Sequence, residues 1–292
     1  MKLAHIINPV VVDQASDLFI AQPITFETMR RAQKFAVDEI DVELFSAQFP
    51  QDRSIIPDDF ILTTDLEHSV LDVAEFKVDW KLPLLRDILD RLYAASTADY
   101  FIYTNVDIAL QPQFYCAVKG FIQQGYDSFV INRRTIPATY LTVEELDLMY
   151  VERGKAHRGW DCFVFPRQLY PHFKLFDVCV GAGRVGLAML ANLEAFSQRF
   201  SEFRDEYLTF HIGDPRTWLS KDHLDFYVHN SAELMHILTA LEAECGTFPR
   251  DSIPGTYLFR QRAFGPLYDA WSRYIYLPAD LSSFINRIVG RL

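Results

Sequence analysis

The sequence predicts an α/β fold with three layers, in which helices cover both faces of a central, mostly parallel β-sheet, and with a helical extension at the C-terminal end. Apolar, β-branched runs alternate with segments of helical periodicity over the first half of the chain, which is typical of a parallel sheet. The run 100–103 is aromatic and β-branched throughout, as in a strand covered on both faces. Residues 247–292 contain six arginines, no lysine and three acidic residues, and this change in character separates an extension from a main domain at 1–246.

Composition and charge argue against several classes of function. The chain has 292 residues, of which 50% are hydrophobic and 23% are charged, and this is the make-up of an ordinary soluble globular protein. A formal net charge of -11 argues against a general nucleic-acid binder, because phosphate contacts require clustered lysine and arginine. The four cysteines show no close pairing, so we expect neither a zinc site nor a disulfide framework. No run reaches the length of a signal h-region or a membrane span, and a cytoplasmic location is the expectation.

The secondary structure can be predicted along the chain from the spacing of apolar residues. We expect strands where short apolar, β-branched runs end in turn residues, at 3–12 with a break at Asn8-Pro9, and at 42–45, 99–104, 126–132, 161–165, 176–181 and 207–212. We expect helices where apolar residues recur every three to four positions, at 25–35, 81–92, 112–123, 143–151 and 232–244 and within 185–203. Thr25 is the expected N-cap of the first helix, and Pro83 is tolerated in the first turn of the second.

The end of the chain predicts one more helix with an apolar stripe. Six side chains would share a face of this helix: Leu281, Phe284, Ile285, Ile288, Val289 and Leu292. Such a stripe usually docks on the parent domain. Contact with a partner or peripheral contact with a membrane surface is the alternative.

The predicted strand at 99–104 ends on two polar residues, Asn105 and Asp107. Ligands of open α/β sheets bind outside the carboxyl ends of the strands, which is where these side chains are expected. A carboxylate and an amide carbonyl are hard oxygen ligands of the kind that Mg²⁺ and Mn²⁺ prefer. A strand-end turn in which Asn and Asp cap backbone groups is the structural alternative.

The surroundings of this triplet resemble a known family. A strand ending in Asn105-Val106-Asp107, with a helix starting at Lys81 before it and a strand ending in Arg133-Arg134 after it, is similar to the nucleotide-sugar-binding core of the GT-A glycosyltransferases. The segment 159–167 is similar to the acceptor side of that family, and a strand ending at His211 is similar to the late histidine that supplies a metal ligand. The resemblance covers about residues 1–230.

The resemblance implies a GT-A-like fold and a function. A nucleotide-diphosphate sugar would be the donor, and the hydroxyl of a glycan, a lipid or a small molecule would be the acceptor. A divalent cation, Mn²⁺ or Mg²⁺, would be held by Asp107 with Asn105 and His211. Lys81, Arg133 and Arg134 would assist electrostatically at the diphosphate. Asp161 would orient or deprotonate the acceptor, with His157 behind it.

Ordinary structural roles stay open for the same residues. Arg133 and Arg134 would then form salt bridges, Lys81 would belong to a charged helix face, Asp161 would begin a strand, and His211 would be a satisfied core histidine.

Two departures from the family pattern bear on catalysis. Asn105 stands where the first acid of the DxD pattern is expected, which removes one formal charge from the metal site. The segment 180–186 has no carboxylate where many inverting members carry a Glu-Asp pair. Retention without a protein base, or a protein of this fold that binds without catalysis, therefore stays open beside an active hexosyltransferase-type enzyme.

The glycines from Gly181 to Gly186 offer a separate hypothesis. They match G-x-G-x-x-G between a predicted strand and a predicted helix, which is the context of an NAD fingerprint. Asp205 or Asp214 could serve as the downstream acid. Only about a hundred residues follow, whereas a dinucleotide fold needs several more parallel strands. Tight strand-to-helix packing is the favoured role of these glycines.

Overall fold

A computed structural model describes residues 1–214 and 221–265 of the chain. Its described strands form one nine-stranded sheet in the order β3-β2-β1-β4-β7-β6-β9-β5, with β8 also pairing with β6. The strands are β1 (Lys2–Ile7), β2 (Asp41–Ser46), β3 (Ile61–Leu62), β4 (Tyr100–Thr104), β5 (Ala109–Leu110), β6 (Ser128–Ile136), β7 (Lys155–Pro166), β8 (Phe200–Phe203) and β9 (Thr209–Ile212). The helices are α1 (Leu18–Phe35), α2 (Leu85–Ala95), α3 (Phe114–Gln123), α4 (Leu146–Val151), α5 (Val185–Phe196), α6 (Leu224–Cys245) and α7 (Ile253–Phe264).

The sheet is mixed but mostly parallel. Strand β1 pairs in parallel with β2 and β4, β2 with β3, and β6 with β8 and β9. Antiparallel pairing joins β7 to both β4 and β6, and joins β5 to β9. The predicted fold class, α/β with a mostly parallel sheet, is confirmed.

Each face of the sheet has its own hydrophobic core. Phe101 and Tyr103 point to a core shared with α2, α5, α6 and α7, whereas Ile102 between them points to a core shared with α1 and α3. The alternation follows from the two-residue period of a strand. Because both faces are covered, the middle strands are apolar at nearly every position, as expected for a three-layer fold.

Two predicted boundaries in the first half of the chain are wrong. Helix α1 begins at Leu18, so Thr25 is a buried residue within the helix and not its N-cap, and Pro23 lies inside it. Buried contacts and the bonds of the Gln22 amide to the Val10 backbone stabilise a helix that proline disfavours. Helix α2 begins at Leu85, so Pro83 precedes it and makes an isolated bridge with Ser69.

A further difference lies at residues 176–181. Residues 176–181 form turns, because Phe176 has a positive φ and the Asn230 amide binds both the N–H and the C=O of Cys179. Helix α5 lies within the predicted range of 185–203 and ends at Phe196, and the strand β8 that follows it pairs with β6.

The described part of the C-terminal extension packs on the main domain. Tyr257 and Leu258 of α7 are buried in the core that contains α5 and α6. The apolar stripe from Leu281 to Leu292 lies outside the described residues, and the division at 246/247 stays a prediction. Within the described ranges, no helix combines the length and the apolar character needed to cross a membrane.

Candidate functional site

The candidate site begins where the ladder between β4 and β7 ends. Thr104 is paired with Cys162, and the next residue, Asn105, donates its backbone N–H to the Asp161 carbonyl oxygen at 3.4 Å. Opposed residues of an antiparallel pair project from the same face of the sheet. Asn105 and Asp161, which are 56 residues apart in sequence, are therefore neighbours.

The side chain of Asn105 bridges two others. Tyr103 O–H donates to Asn105 Oδ1 at 3.2 Å, and Asn105 Nδ2 donates to Asp161 Oδ1 at 3.3 Å. Tyr103 is only 1% exposed, and burial raises the pKa of its phenol far above the ordinary value, with the charges of Asp107 and Asp161 acting in the same direction. Tyr103 is therefore a neutral hydroxyl that can donate to the amide oxygen.

Asp161 also forms a sheltered ion pair. Arg133 Nη1 lies 2.6 Å from Asp161 Oδ2, and each side chain is 12% exposed. Arg133 comes from β6, the strand on the other side of β7, where two register shifts interrupt the β6–β7 ladder. Both carboxylate oxygens of Asp161 thus accept a hydrogen bond, one from Asn105 and one from Arg133.

Asp107 and His211 form the second pair of the site. His211 Nε2 lies 3.0 Å from Asp107 Oδ2, and His211 Nδ1 lies 2.8 Å from the carbonyl oxygen of Gly213. The carbonyl can only accept, so Nδ1 carries a hydrogen and Nε2 is the atom that faces the carboxylate. The antiparallel pairing of β5 with β9, with Ala109 opposite Phe210, brings together two residues 104 positions apart.

Charge and burial act against each other in this pair. Burial alone would lower the pKa of His211, but the Asp107 carboxylate raises it above the ordinary value. Burial opposes ionisation of Asp107 as well, yet His211 and then Arg133 hold the pKa of Asp107 below its usual value. Asp107 Oδ1 is a buried oxygen without a hydrogen-bond partner among the described residues. A carboxylate oxygen in this state is ready to accept a cation or a donor.

His157 lies beside the Asp161 carboxylate. Its Nδ1 accepts the backbone N–H of Gly159 at 2.9 Å, so the neutral ring carries its hydrogen on Nε2. Burial lowers the pKa of His157, and the charge of Arg133 lowers it further. Near pH 7 this side chain is therefore a neutral hydrogen-bond donor, and it becomes a base only if the Gly159 contact is released.

The two other cationic residues expected at the site lie differently. Arg134, next to Arg133 on β6, donates to the carbonyls of Arg153 and Gly154 at 3.0 and 2.9 Å and stacks over Tyr207. Its donors support the turn before β7, and the structure does not bring them to Asp107. Lys81 Nζ lies 4.0 Å from the centre of the Phe49 ring, beyond the carboxyl end of β2.

The sequence did not predict a role for two residues near the site, Tyr103 and Asp52. Tyr103 belongs to an apolar strand, and only its position two residues before Asn105 places it on the same face. Asp52 is a buried carboxylate beyond β2 that accepts the Val11 N–H at 2.8 Å. Burial raises the pKa of Asp52, against the effect of backbone N–H donors and of Lys81. Asp52 ties the loop after β1 to the loop after β2 at the same edge of the sheet.

We call Asn105, Asp107, Arg133, Asp161 and His211 the strand-end site. Over residues 1–214 and 221–265, no group of three or more histidine, cysteine or acidic side chains is arranged to hold a metal ion. The unpartnered Asp107 oxygen and the His211 imidazole nevertheless supply two donors of suitable chemistry. They fit a hard divalent cation that takes its other ligands from phosphate oxygens and water, as Mg²⁺ commonly does.

The glycines Gly181 to Gly186 do not form a dinucleotide fingerprint. Turns precede them where the motif requires a strand, and residue 179 makes only an isolated bridge to Leu84. A Cβ at Gly186 would lie 2.7 Å from the carbonyl oxygen of Trp160, so a close approach to β7 explains this glycine. The NAD hypothesis is therefore wrong: close packing accounts for Gly186, and the positive φ of 94° favours glycine at position 181.

Comparisons with known proteins found similar folds and no similar sequence family. No family model matches the chain, and no curated protein matches it. A solved structure of S. aureus TarS (residues 1–349) has 8% identity and a TM-score of 0.49, covering 96% of this chain and 76% of that one. The complex of the same protein with UDP-GlcNAc has 11% identity and a TM-score of 0.48, covering 97% and 83%.

Glucosyl-3-phosphoglycerate synthase from Mycobacterium tuberculosis, in complex with Mn²⁺, UDP and glucosyl-3-phosphoglycerate, has 14% identity and a TM-score of 0.45, covering 85% of this chain and 81% of that one. These three likenesses combine identities of 8%, 11% and 14% with TM-scores of 0.49, 0.48 and 0.45. The function of this chain has to be inferred from its own residues.

Proposed function

We propose that this chain is a metal-assisted glycosyltransferase that moves a sugar from a nucleotide-diphosphate sugar to an acceptor hydroxyl. One observation carries the proposal. Asp107, with a buried unpartnered oxygen, pairs with His211 beside the Arg133–Asp161 ion pair, at the strand ends of a mostly parallel sheet. A cation site next to a buried carboxylate is what transfer from a diphosphate leaving group requires.

Asp107 and His211 would hold the divalent cation. Asp107 Oδ1 has no competing hydrogen bond, and the Gly213 carbonyl fixes the His211 ring so that Nε2 faces Asp107 Oδ2. A backbone carbonyl at the other ring nitrogen is the usual support of a ligating histidine. The cation, when bound, would neutralise charge on the departing diphosphate.

Two cationic side chains would act at opposite ends of the donor. Arg133 is buried in an ion pair with Asp161, and the part of its charge that Asp161 does not neutralise would add positive potential at the diphosphate. Lys81, near Asp52 and the loops after β1 and β2, would contact the nucleoside half of the donor. Arg134 takes no part in the proposal because its donors are used by backbone carbonyls.

Asp161 and His157 would act on the acceptor. With both oxygens of Asp161 already accepting hydrogen bonds, an incoming hydroxyl must share one of them. The first role of Asp161 is therefore to orient the hydroxyl, and proton removal would follow a weakening of one existing bond. His157 would donate from Nε2 to an acceptor oxygen, since Nδ1 is used by Gly159.

Donor turnover tests the proposal directly. The fold neighbours were solved with UDP-GlcNAc and with UDP and Mn²⁺, so UDP-GlcNAc and UDP-glucose with Mn²⁺ are sensible first probes within a wider panel of nucleotide sugars. We expect Mn²⁺-dependent release of the nucleoside diphosphate from at least one sugar of the panel. Asp107→Ala should abolish it, and Asp38→Ala, which removes an exposed carboxylate at the far end of α1, should not. Equal turnover in the two variants would show that Asp107 does not act in the reaction.

A non-catalytic binding protein is the second candidate. It is favoured by the hydrogen bonds that both Asp161 oxygens already accept from Asn105 and Arg133, because these bonds compete with proton transfer to either oxygen. Calorimetry with Mn²⁺ and nucleoside diphosphates separates the two candidates. Binding without turnover of any donor, with or without an acceptor, would favour the binding protein.

A further inference from the structure

We propose that Asn105 is a positioning residue, whose amide bridges Tyr103 and Asp161 and holds the Asp161 carboxylate in place for the acceptor, while the metal is left to Asp107 and His211. The inference rests on the proposed function, because it assigns a role within the same site. It replaces the expectation that Asn105 is a metal ligand weakened by the loss of a charge.

The orientation of the Asn105 amide follows from its two contacts. Its Oδ1 accepts from the Tyr103 hydroxyl at 3.2 Å, and its Nδ2 donates to Asp161 Oδ1 at 3.3 Å. The reverse orientation would set the amide oxygen against a carboxylate oxygen at that separation, with no hydrogen between them. The amide therefore presents its N–H to Asp161, and its oxygen is directed to Tyr103.

Both ends of the bridge are held by packed structure. Tyr103 is buried and lies in the same register pair as Phe163, with the two rings stacked at 15° and 6.2 Å between centroids. At the other end, Arg133 binds the second oxygen of Asp161 at 2.6 Å. The Asp161 carboxylate is thus fixed from two directions, and removal of either partner frees it to rotate.

The bridge explains why residue 105 is an amide and not an acid. A carboxylate at this position has no hydrogen to donate and would lie about 3.3 Å from the ionised Asp161. Two carboxylates at such a distance cannot both stay ionised without cost. Arg133 would then be shared between two acids. The proposed metal ligands, Asp107 and His211, do not depend on this bridge, because Asp107 bonds to His211 and not to Asn105.

The first experiment tests the bridge without any ligand. Thermal unfolding midpoints are compared for the full chain and for Asn105→Asp, Asp161→Asn and the double variant. We expect Asn105→Asp to lower the midpoint, and the added Asp161→Asn to recover much of the loss, since the exchange restores one amide beside one carboxylate. Absence of recovery would overturn the bridge, whether or not the chain is a transferase.

The second experiment separates positioning from metal binding. Calorimetry with Mn²⁺ and UDP measures binding, and the rate of UDP release from UDP-GlcNAc and UDP-glucose measures turnover. For Asn105→Ala we expect affinity unchanged within about twofold and kcat lower by about tenfold or more, as for a misplaced catalytic group. KM for the donor should change less than kcat. Asn105→Ala/Asp161→Ala should be no slower than Asp161→Ala alone, because residues that act as a unit are not additive.

The outcomes are distinguishable. Tighter Mn²⁺ binding in Asn105→Asp, or weaker binding in Asn105→Ala comparable to that of Asp107→Ala, would make Asn105 a metal ligand and overturn the inference. If the double variant recovers the unfolding midpoint but kcat is unchanged in Asn105→Ala, the bridge has only a structural role. This result would also overturn the inference. If wild type binds no nucleoside diphosphate with Mn²⁺, the proposed function fails, and the assigned role for Asn105 fails with it even if the first experiment shows the bridge.

Discussion

At the scale of single residues, the pairing of His211 with Asp107 decides what the strand-end site can bind. The Gly213 carbonyl fixes the imidazole by its Nδ1–H, and the Asp107 carboxylate keeps the other nitrogen in a charged pair. Under the proposed function, a cation would replace the proton between His211 Nε2 and Asp107 Oδ2, and Asp107 Oδ1 has no hydrogen-bond partner among the described residues. The same two side chains form an ion pair in the structure and would become two ligands if the proposed cation binds.

His211→Ala tests this pair. We expect Mn²⁺ affinity in the presence of UDP to fall by about tenfold or more, because a ligand is lost and the Asp107 carboxylate loses its support. The free energy of unfolding should fall by about 1–3 kcal/mol, since the carboxylate loses its charged partner but is 23% exposed and can be partly hydrated. Calorimetry and urea denaturation give the two values.

The control for that variant is His236→Ala. His236 also pairs with an acid, Glu233, at 3.3 Å, but its side chain is 66% exposed on α6. It should leave Mn²⁺ affinity unchanged and stability within about 0.5 kcal/mol of wild type, as exposed pairs contribute little. Equal losses of Mn²⁺ affinity in the two variants would count against Asp107 and His211 as metal ligands.

His5 gives a pH dependence that does not involve the proposed metal. It is fully buried on β1, with Nδ1 2.9 Å from the Tyr115 hydroxyl and Nε2 2.9 Å from Thr104 Oγ1, and burial lowers its pKa to about 3. The unfolded chain takes up a proton near the ordinary pKa of 6.5 and the native state does not. The stabilising contribution is therefore complete above pH 6.5 and is lost as pH falls towards 3.

We expect His5 to contribute a loss of about 1.4 kcal/mol in unfolding free energy per pH unit over this window. His5→Gln keeps polar atoms for Tyr115 and Thr104 but does not titrate, so its stability should fall less steeply from pH 6.5 towards acid. Urea denaturation at several pH values measures both slopes. Identical slopes for wild type and His5→Gln would show that His5 is not held neutral.

At the scale of elements, the apolar pattern predicted the strands that are buried on both faces and failed where one distant side chain decides the conformation. Strand β4 is recognisable because its residues are aromatic or β-branched except at its polar end. The apolar run 176–181 has the same local signal, but the Asn230 amide of α6 takes the backbone groups that a strand would pair. No local pattern reveals a partner 51 residues away.

Asn230→Ala tests the clamp between α6 and the segment before α5. The Asn230 amide is buried and bonds to the Cys179 N–H, the Cys179 carbonyl and the Gly183 carbonyl. We expect a loss of about 2–4 kcal/mol in unfolding free energy, because three backbone groups lose their partner at once. Thr239→Ala on the exposed side of α6 is the control, with an expected change within about 0.5 kcal/mol. Similar losses in both variants would contradict the clamp.

At the scale of the whole molecule, the antiparallel strand β7 creates the site. It lies between β4 and β6, so it brings Asp161 against Asn105 on one side and Arg133 on the other. The sequence identified these residues by type and by position at strand ends, and it predicted the α/β class. The resemblance grouped Asp107, Asn105 and His211, but the sequence could not show that Asn105 belongs with Asp161, since pairing across a sheet depends on strand order.

The helical layers complete the molecule around that edge. Helices α2, α5 and α6 cover one face of the sheet and α1 and α3 the other, which leaves the carboxyl ends of β1, β2 and β4 as the place where the loops after them meet. Asp52 and Lys81 lie along this edge beyond β2. A donor that extends along it from the strand-end site would place its nucleoside towards Lys81.

A crystal structure of the full chain soaked with UDP and Mn²⁺ tests the central claim most directly. We expect one ion within about 2.1 Å of Asp107 and of His211 Nε2, with diphosphate oxygens in its remaining positions. The Asn105 amide should still bind Tyr103 and Asp161. An ion bound elsewhere, or UDP bound away from the strand-end site, would contradict the account.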